Sequence, residues 1–232
     1  MISISQWYPM LGQFSFPTVF VELRDTEIRP LVKGELKSSQ TRKPISRIQQ
    51  AIRSLPGGCF VTADVCAPTD SNHFGGSGKV SYGLTAWRLL ATSAKTREAF
   101  EQGWSRRITV RPYRRINKTR EFRMFFYQGQ LKAMSQYHLE RHFHRLEGQE
   151  KEIWRLGKKF AERIQDFLPR ENVVVDVYLS SDNQFFIIDL NAWGEQTDPL
   201  LFKKWGRDWT KELGLKLIPH PVDMKGDISV SF

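Results

Sequence analysis

The sequence predicts a mixed α/β chain built from antiparallel hairpins and flanking helices, and two observations predict it. The stretches "TREFRMFFYQGQLKAMSQY" and "NVVVDVYLSSDNQFFIIDLN" alternate apolar and polar residues on either side of turn-forming residues, the pattern of antiparallel hairpins. Other stretches place apolar residues at helical spacing, as Ile153, Leu156, Phe160, Ile164 and Phe167 do. With 232 residues, 40% of them hydrophobic, the chain is long enough to bury a proper core.

Along the chain, "TVFVEL" (18–23) reads as a strand and the polar "RDTEIRPLVKGELKSSQTRK" as loop with a short extended piece. A helix follows in "PISRIQQAIRSLPGG", where Ile45, Ile48, Ala51, Ile52 and Leu55 recur and Pro56-Gly57-Gly58 stops the pattern. "CFVTADV" reads as a buried strand, and "LTAWRLLATSAKTREAF", after the glycine-rich "SNHFGGSGKVSYG", as one helix. The first hairpin, the amphipathic helix and the second hairpin come next, and a last helix is expected over "PLLFKKWGRDWTKEL". No repeat, low-complexity tract or clear linker divides the chain, so residues 1–232 read as one domain with two lobes, 1–105 and 106–232.

Cys59 and Cys66 are too few for a disulfide framework and lack the paired spacing of a zinc site, so reduced, partly buried thiols are expected. No apolar stretch approaches the roughly 18 residues of a membrane span, and "MISISQWYPML" lacks a signal-peptide pattern, which points to the cytoplasm. A formal charge of +10 implies attraction to something anionic: nucleotide phosphates, nucleic acid or an acidic protein surface.

The second hairpin carries the sharpest chemistry. Asp189 and Asn191 share a strand face, since successive side chains alternate. A two-residue turn at Asp182-Asn183 pairs Ser181 with Gln184 and sets Asp176 opposite Asp189; an odd-numbered loop without a bulge breaks that register. The other face then presents Val175, Val177, Ile188 and Leu190 to a core. Two carboxylates and an amide suit Mg²⁺, which is held by one or two carboxylates plus a nucleotide; solvated positions on a half-exposed sheet are the other reading.

In the first hairpin a turn at Gln128-Gly129 pairs Tyr127 with Gln130 and sets Arg123 opposite Met134 and Glu121 opposite Gln136. Glu121, Arg123, Lys132 and Gln136 then form a polar face, and Phe122, Met124, Phe126, Leu131 and Ala133 a core face. Arg123, fixed by Glu121, fits either a phosphate or a surface ion pair.

These residues resemble the cell division cycle protein 123 family. "DVYLSSDNQFFIIDLNAWGEQTDPLLF" is similar to its Asp-hydrophobic-Tyr, Ile-Asp-Phe-Asn-Pro-Phe-Gly-Glu and Thr-Asp-Ser-Leu-Leu-Phe run, and "EFRMFFYQGQLKAMSQY" to its Glu-Phe-Arg hairpin. "SQWYPML" resembles its Trp-Tyr-Pro opening, and "IQQAIRSLPGGCFVTADVCAPTDS" its helix, strand and Ala-Pro-Arg-Asp segment, with Asp70 as the aspartate. The resemblance implies an ATP-grasp fold holding ATP and Mg²⁺ between two lobes, with Asp176, Asp189 and Asn191 at the metal, Asp176 also on the nucleotide side, Arg111 beside the adenine and Arg123 toward phosphate. It also implies a role in assembly, with the γ subunit of eukaryotic translation initiation factor two as partner. The family's nucleotide-contacting lysine is matched by Thr62 and its neighbouring asparagine by Asp64, leaving Lys79 or Lys33 to supply the cation.

Of the remaining motifs, "HFGGSGKVSYG" is no Walker loop, because His73 and Val80 stand where Gly and Ser or Thr are needed; it reads as a lid bringing Lys79 over phosphates or as a plain surface loop. In "YHLERHFHRLE", His138 and His142 would share a helix face with His144 close by, but without the acidic spacing of a zinc protease motif they read as surface histidines. "RRITVRPYRRINKTR" sets basic residues around Tyr113, as an RNA face or a solvated loop beside a nucleotide. Trp193, Trp205 and Trp209 read as core. The sequence therefore predicts a Mg·ATP-binding assembly factor, with a carboxylate–amine ligase working through an acyl phosphate as the alternative and RNA binding as a weaker one.

Overall fold

In the computed structural model, which describes residues 2–220, the chain folds around two sheets. The first has the order β1-β4-β2-β3, from β1 (Val19–Glu22), β2 (Cys59–Ala63), β3 (Lys79–Val80) and β4 (Arg107–Pro112), all antiparallel. The second has the order β8-β7-β5-β6-β9, from β5 (Glu121–Tyr127), β6 (Gln130–Gln136), β7 (Val173–Leu179), β8 (Phe185–Ala192) and β9 (Gly214–Lys216), antiparallel except for β9 beside β6. The lobe boundary drawn at residue 105 passes just before β4, which lies inside the first sheet.

Helices α2 (Asp25–Val32), α3 (Arg42–Arg53), α4 (Gly83–Thr92) and α5 (Ala94–Glu101) build the first lobe, where Leu31, Ile48, Trp87 and Leu90 pack with Val61 and Val110. The second sheet buries one face against α6 (Glu150–Ile164) and, from far upstream, α1 (Ile4–Leu11), whose Trp7 and Leu11 join Phe122, Met124, Phe160, Val175 and Ile187. After α1, Ser15 forms a parallel bridge to Ile187 of β8, and its hydroxyl donates to the Ile187 carbonyl at 2.7 Å. The other face of the sheet is partly covered by residues 193–213, through Phe202 and Trp209 on Phe125 and Val174.

Three expectations about elements are corrected. The stretch expected to be loop contains α2: Glu27 accepts the Arg24 N–H at 2.9 Å and pairs with Arg47, so a charged residue holds a buried position and breaks the apolar period. Pro30 removes only one bond from so short a helix. The helix expected at 84–100 is two, broken at extended Ser93, whose hydroxyl caps α5 by accepting Thr96 N–H and donates to Asp70 at 2.6 Å. The expected last helix is one 3₁₀ turn, Leu200–Phe202, followed by turns with Lys203 at φ +63°. The Trp205 and Trp209 indoles, four apart like a helix stripe, donate instead to carbonyls of Thr197 and Trp205, both at 2.8 Å.

Bulges correct the registers. The first hairpin turns at Gln128-Gly129, both at positive φ, and pairs Tyr127 with Gln130 as expected. Lys132 is then left unpaired, so Arg123 faces Ser135 rather than Met134, and Phe122, not Glu121, faces Gln136. Ala133 moves to the Phe125 side, away from the expected core face, and Met134 takes its place. In the second hairpin the loop has three residues, closed by Ser180 N–H to the Gln184 carbonyl at 2.9 Å, rather than the expected two. A bulge at Ile188 restores the count, so Asp176 does face Asp189, and Ile187 rather than Ile188 enters the core.

Candidate functional site

Alternation along β5, β7 and β8 puts Arg123, Asp176, Asp189 and Asn191 on the sheet face away from α6. Arg123 forks onto Asp176, with Nε to Oδ1 at 2.7 Å and Nη2 to Oδ2 at 2.8 Å, and its Nη1 donates to the Asp198 carbonyl at 2.8 Å. The guanidinium also lies over the Tyr137 ring, 5.1 Å from its centre. Burial opposes its charge, but the bond and charge of Asp176 outweigh burial and hold Arg123 above its ordinary value. Glu121, expected to fix Arg123, instead faces His138 Nε2 at 3.1 Å, because β7 brings a carboxylate directly across from the arginine.

Asp189 sits across from Asp176 without such a partner. Its Oδ1 accepts the Leu190 N–H at 2.9 Å, and among the described residues its other oxygen accepts no hydrogen bond. Burial first, and then the Asp176 charge, push this carboxyl up to about 7, against the pull of Arg111. Asn191 donates to Asp176 Oδ2 at 2.8 Å, which leaves its carbonyl oxygen as an acceptor. Three neighbouring oxygen-bearing side chains, one a carboxyl whose charge burial disfavours, fit a hard divalent cation. An open cleft of about 700 Å³ adjoins them, lined by Arg123, Tyr137, Asn191, Thr197 and Asp198.

Arg111 reaches this region from the first sheet. It is 9% exposed; Nε donates to Thr18 Oγ1 at 3.0 Å and Nη1 to the Ile188 carbonyl at 2.8 Å, while Nη2 is buried with no hydrogen-bond partner among the described residues. Burial lowers its pKa, and Asp189 opposes that effect. A buried guanidinium N–H left unpaired is costly, and an anionic oxygen would satisfy it.

The other expected site residues are engaged elsewhere in the fold. The Thr62 hydroxyl bonds that of Thr109 on β4, and the Asp64 carboxylate accepts Ser5 N–H at 2.8 Å, tying α1 to the first lobe. Asp70 accepts from Ser93 and from Lys95 N–H at 3.1 Å, at the start of α5. Lys79 is exposed, 5.7 Å from the centre of the Tyr113 ring. Within the basic stretch, Arg106, Arg107 and Lys118 pair with Asp25, Glu22 and Glu140, and Arg111 turns inward. Both cysteines are free, Cys59 buried and Cys66 half-buried. Among the described residues no helix is long and apolar enough to cross a membrane.

A family model described as D123 matches residues 76–211. The translation initiation factor eIF2 assembly protein of Xenopus laevis is 26% identical over 196 residues, covering 78% of this chain but 56% of that protein, so the match spans little more than half its length. A CDC123-like protein of Acanthamoeba polyphaga mimivirus is 25% identical over 227 residues, 89% of this chain and 69% of that one. Among solved structures, C-terminally truncated Cdc123 from Schizosaccharomyces pombe superposes with a TM-score of 0.81 at 19% identity, over 94% of this chain and 96% of that chain. The fold is the mixed α/β arrangement of antiparallel sheets and flanking helices expected from the sequence, and it is the fold of Cdc123.

Proposed function

The chain belongs to the D123 family of Cdc123-like proteins, and on that premise we propose that it binds ATP with Mg²⁺ on the open face of the second sheet and serves as an assembly factor for a protein partner. The observation that carries the nucleotide reading is the facing pair Asp176 and Asp189 with Asn191 beside them. Those three side chains would hold the cation. Arg123, committed to Asp176, fixes the orientation of that carboxylate, and Arg111 offers its remaining Nη2 N–H to an anionic oxygen. Mg²⁺, when bound, supplies the positive charge that lets carboxylates and phosphates share one site.

Binding rather than turnover is the favoured reading. At the position of the family's lysine stands Thr62, whose hydroxyl is tied to Thr109, so no cation projects from that strand position. Relatives named as eIF2 assembly proteins support the assembly role, with the γ subunit of that factor as the partner to test first.

Calorimetry of ATP with and without Mg²⁺, on the native chain and on Asp189→Ala, tests the site. Metal-dependent binding lost in the variant is expected; no binding under either condition overturns the reading. Steady ADP release that depends on an added amine would turn the assignment toward a ligase.

A further inference from the structure

The loop between β6 and α6 gathers histidines that neither the nucleotide site nor the core uses. Read as a helix, "YHLERHFHRLE" puts His138 beside His142; in the structure it is a turn entering a 3₁₀ segment, His144–Leu146, and His138 departs to Glu121. His142 and His144 instead converge on Glu147: Oε1 of that carboxylate lies 2.6 Å from His142 Nε2 and 3.0 Å from His144 Nδ1. The chain beyond β9 adds His220, whose Nε2 is 3.9 Å from the same oxygen. The three rings stand 5.1, 5.3 and 5.7 Å apart, so three of the chain's five histidines surround one glutamate.

The supports beneath these side chains are those a metal site uses. His142 is held through its second ring nitrogen, with Nδ1 2.7 Å from the Ile218 carbonyl, which fixes the tautomer that leaves Nε2 to ligate. Buried Gln136 joins both limbs: its Nε2 donates to the Arg141 carbonyl at 3.1 Å, and its Oε1 accepts the Ile218 N–H at 3.2 Å. Ligand atoms of His142, His144 and Glu147 already lie within 4.8 Å of one another. Tetrahedral zinc, with bonds of about 2.0–2.2 Å to nitrogen and oxygen, sets its ligand atoms roughly 3.3–3.6 Å apart, so the contacts of His142 and His144 to Glu147 would open by no more than about an ångström as the ion enters between them. Three imidazoles and one carboxylate are a borderline-soft set that prefers zinc to magnesium.

We propose that His142, His144, His220 and Glu147 form a four-coordinate zinc site that fastens the segment after β9 to the loop after β6. All four positions are filled by protein, so the site is structural and closed to substrate. It is independent of the acidic hairpin, which offers only oxygen ligands.

The test uses the full chain without a histidine tag, stripped of metal and titrated with Zn²⁺ against a chromogenic chelator. One equivalent is expected to bind to the native chain, to His73→Ala and to Asp189→Ala, and at least tenfold more weakly to His144→Ala and to His220→Ala. His144 is 78% exposed, so its loss leaves the fold intact, and circular dichroism verifies this. Co²⁺ in place of zinc should give the intense visible bands of four-coordination in the native chain alone among these histidine-site forms. No binding to the native chain, equal binding by His144→Ala and His220→Ala, or a weak six-coordinate Co²⁺ spectrum would each overturn the assignment.

Discussion

At Asp189 the fold raises a carboxyl from its ordinary value of 3.8 to about 7. The folded chain therefore holds a proton that the unfolded chain has released over that range. Stability from this group is full below about pH 4 and is lost as pH rises through 7. Unfolding of the ligand-free protein should show it as a native-minus-variant stability that falls between these limits, with Asp189→Asn as the variant. Mg²⁺ reverses the sign, because it needs the carboxylate. Affinity for Mg·ATP should rise over the same range, with a proton released on binding that calorimetry in buffers of different ionisation enthalpy will detect. Arg123 has the opposite fragility. Arg123→Ala leaves Asp176 buried and unpaired and should cost about 3–5 kcal/mol in urea unfolding, and Arg123→Lys should recover only part, since a point charge cannot fork.

Between elements, two glycines predict opposite outcomes. A Cβ on Gly83 would stand 2.4 Å from the Ile45 carbonyl oxygen, where α4 begins against α3, so Gly83→Ala should cost about 1–3 kcal/mol. At Gly157 of α6 the Cβ would meet Met134 Sδ at 2.6 Å, the end of a flexible side chain, and the helix gains about 0.5–1 kcal/mol from alanine. Gly157→Ala should therefore change the melting temperature little. Much of the second sheet was legible at this scale, because alternation along β8 puts Asp189 and Asn191 on one face. The opposition of Asp176 to Asp189 was reached through two irregularities that cancel, an odd loop and the Ile188 bulge, whereas the single bulge at Lys132 had nothing to offset it. The Arg123–Asp176 pair was hidden because β5 meets β7 across a whole intervening helix. Glu27 concealed α2, and the spacing of Trp205 and Trp209 imitated a helix that positive φ at Lys203 forbids. No local pattern could have brought His220 to His142.

Over the whole molecule, the two lobes are joined by Arg111 and by α1, which donates from Ser5 to Asp64 of the first while burying Trp7 and Leu11 in the second. The second lobe is thus incomplete by itself. A fragment of residues 118–220 should lack cooperative unfolding by circular dichroism, and a peptide of residues 2–17 added in trans should restore it.

The bond between Ser15 and Ile187, 172 residues apart, has a further consequence. β8 is the outermost strand of its sheet, and Ser15 bridges to Ile187 and occupies its carbonyl on that open side. An uncovered rim of this kind recruits strands from other molecules. The stretch after α1 is therefore a guard against self-association, set in place only once distant parts of the chain have met. Until that closure, a refolding molecule presents β8 to its neighbours, so aggregation during refolding should increase with protein concentration and with weakening of the Ser15 contact.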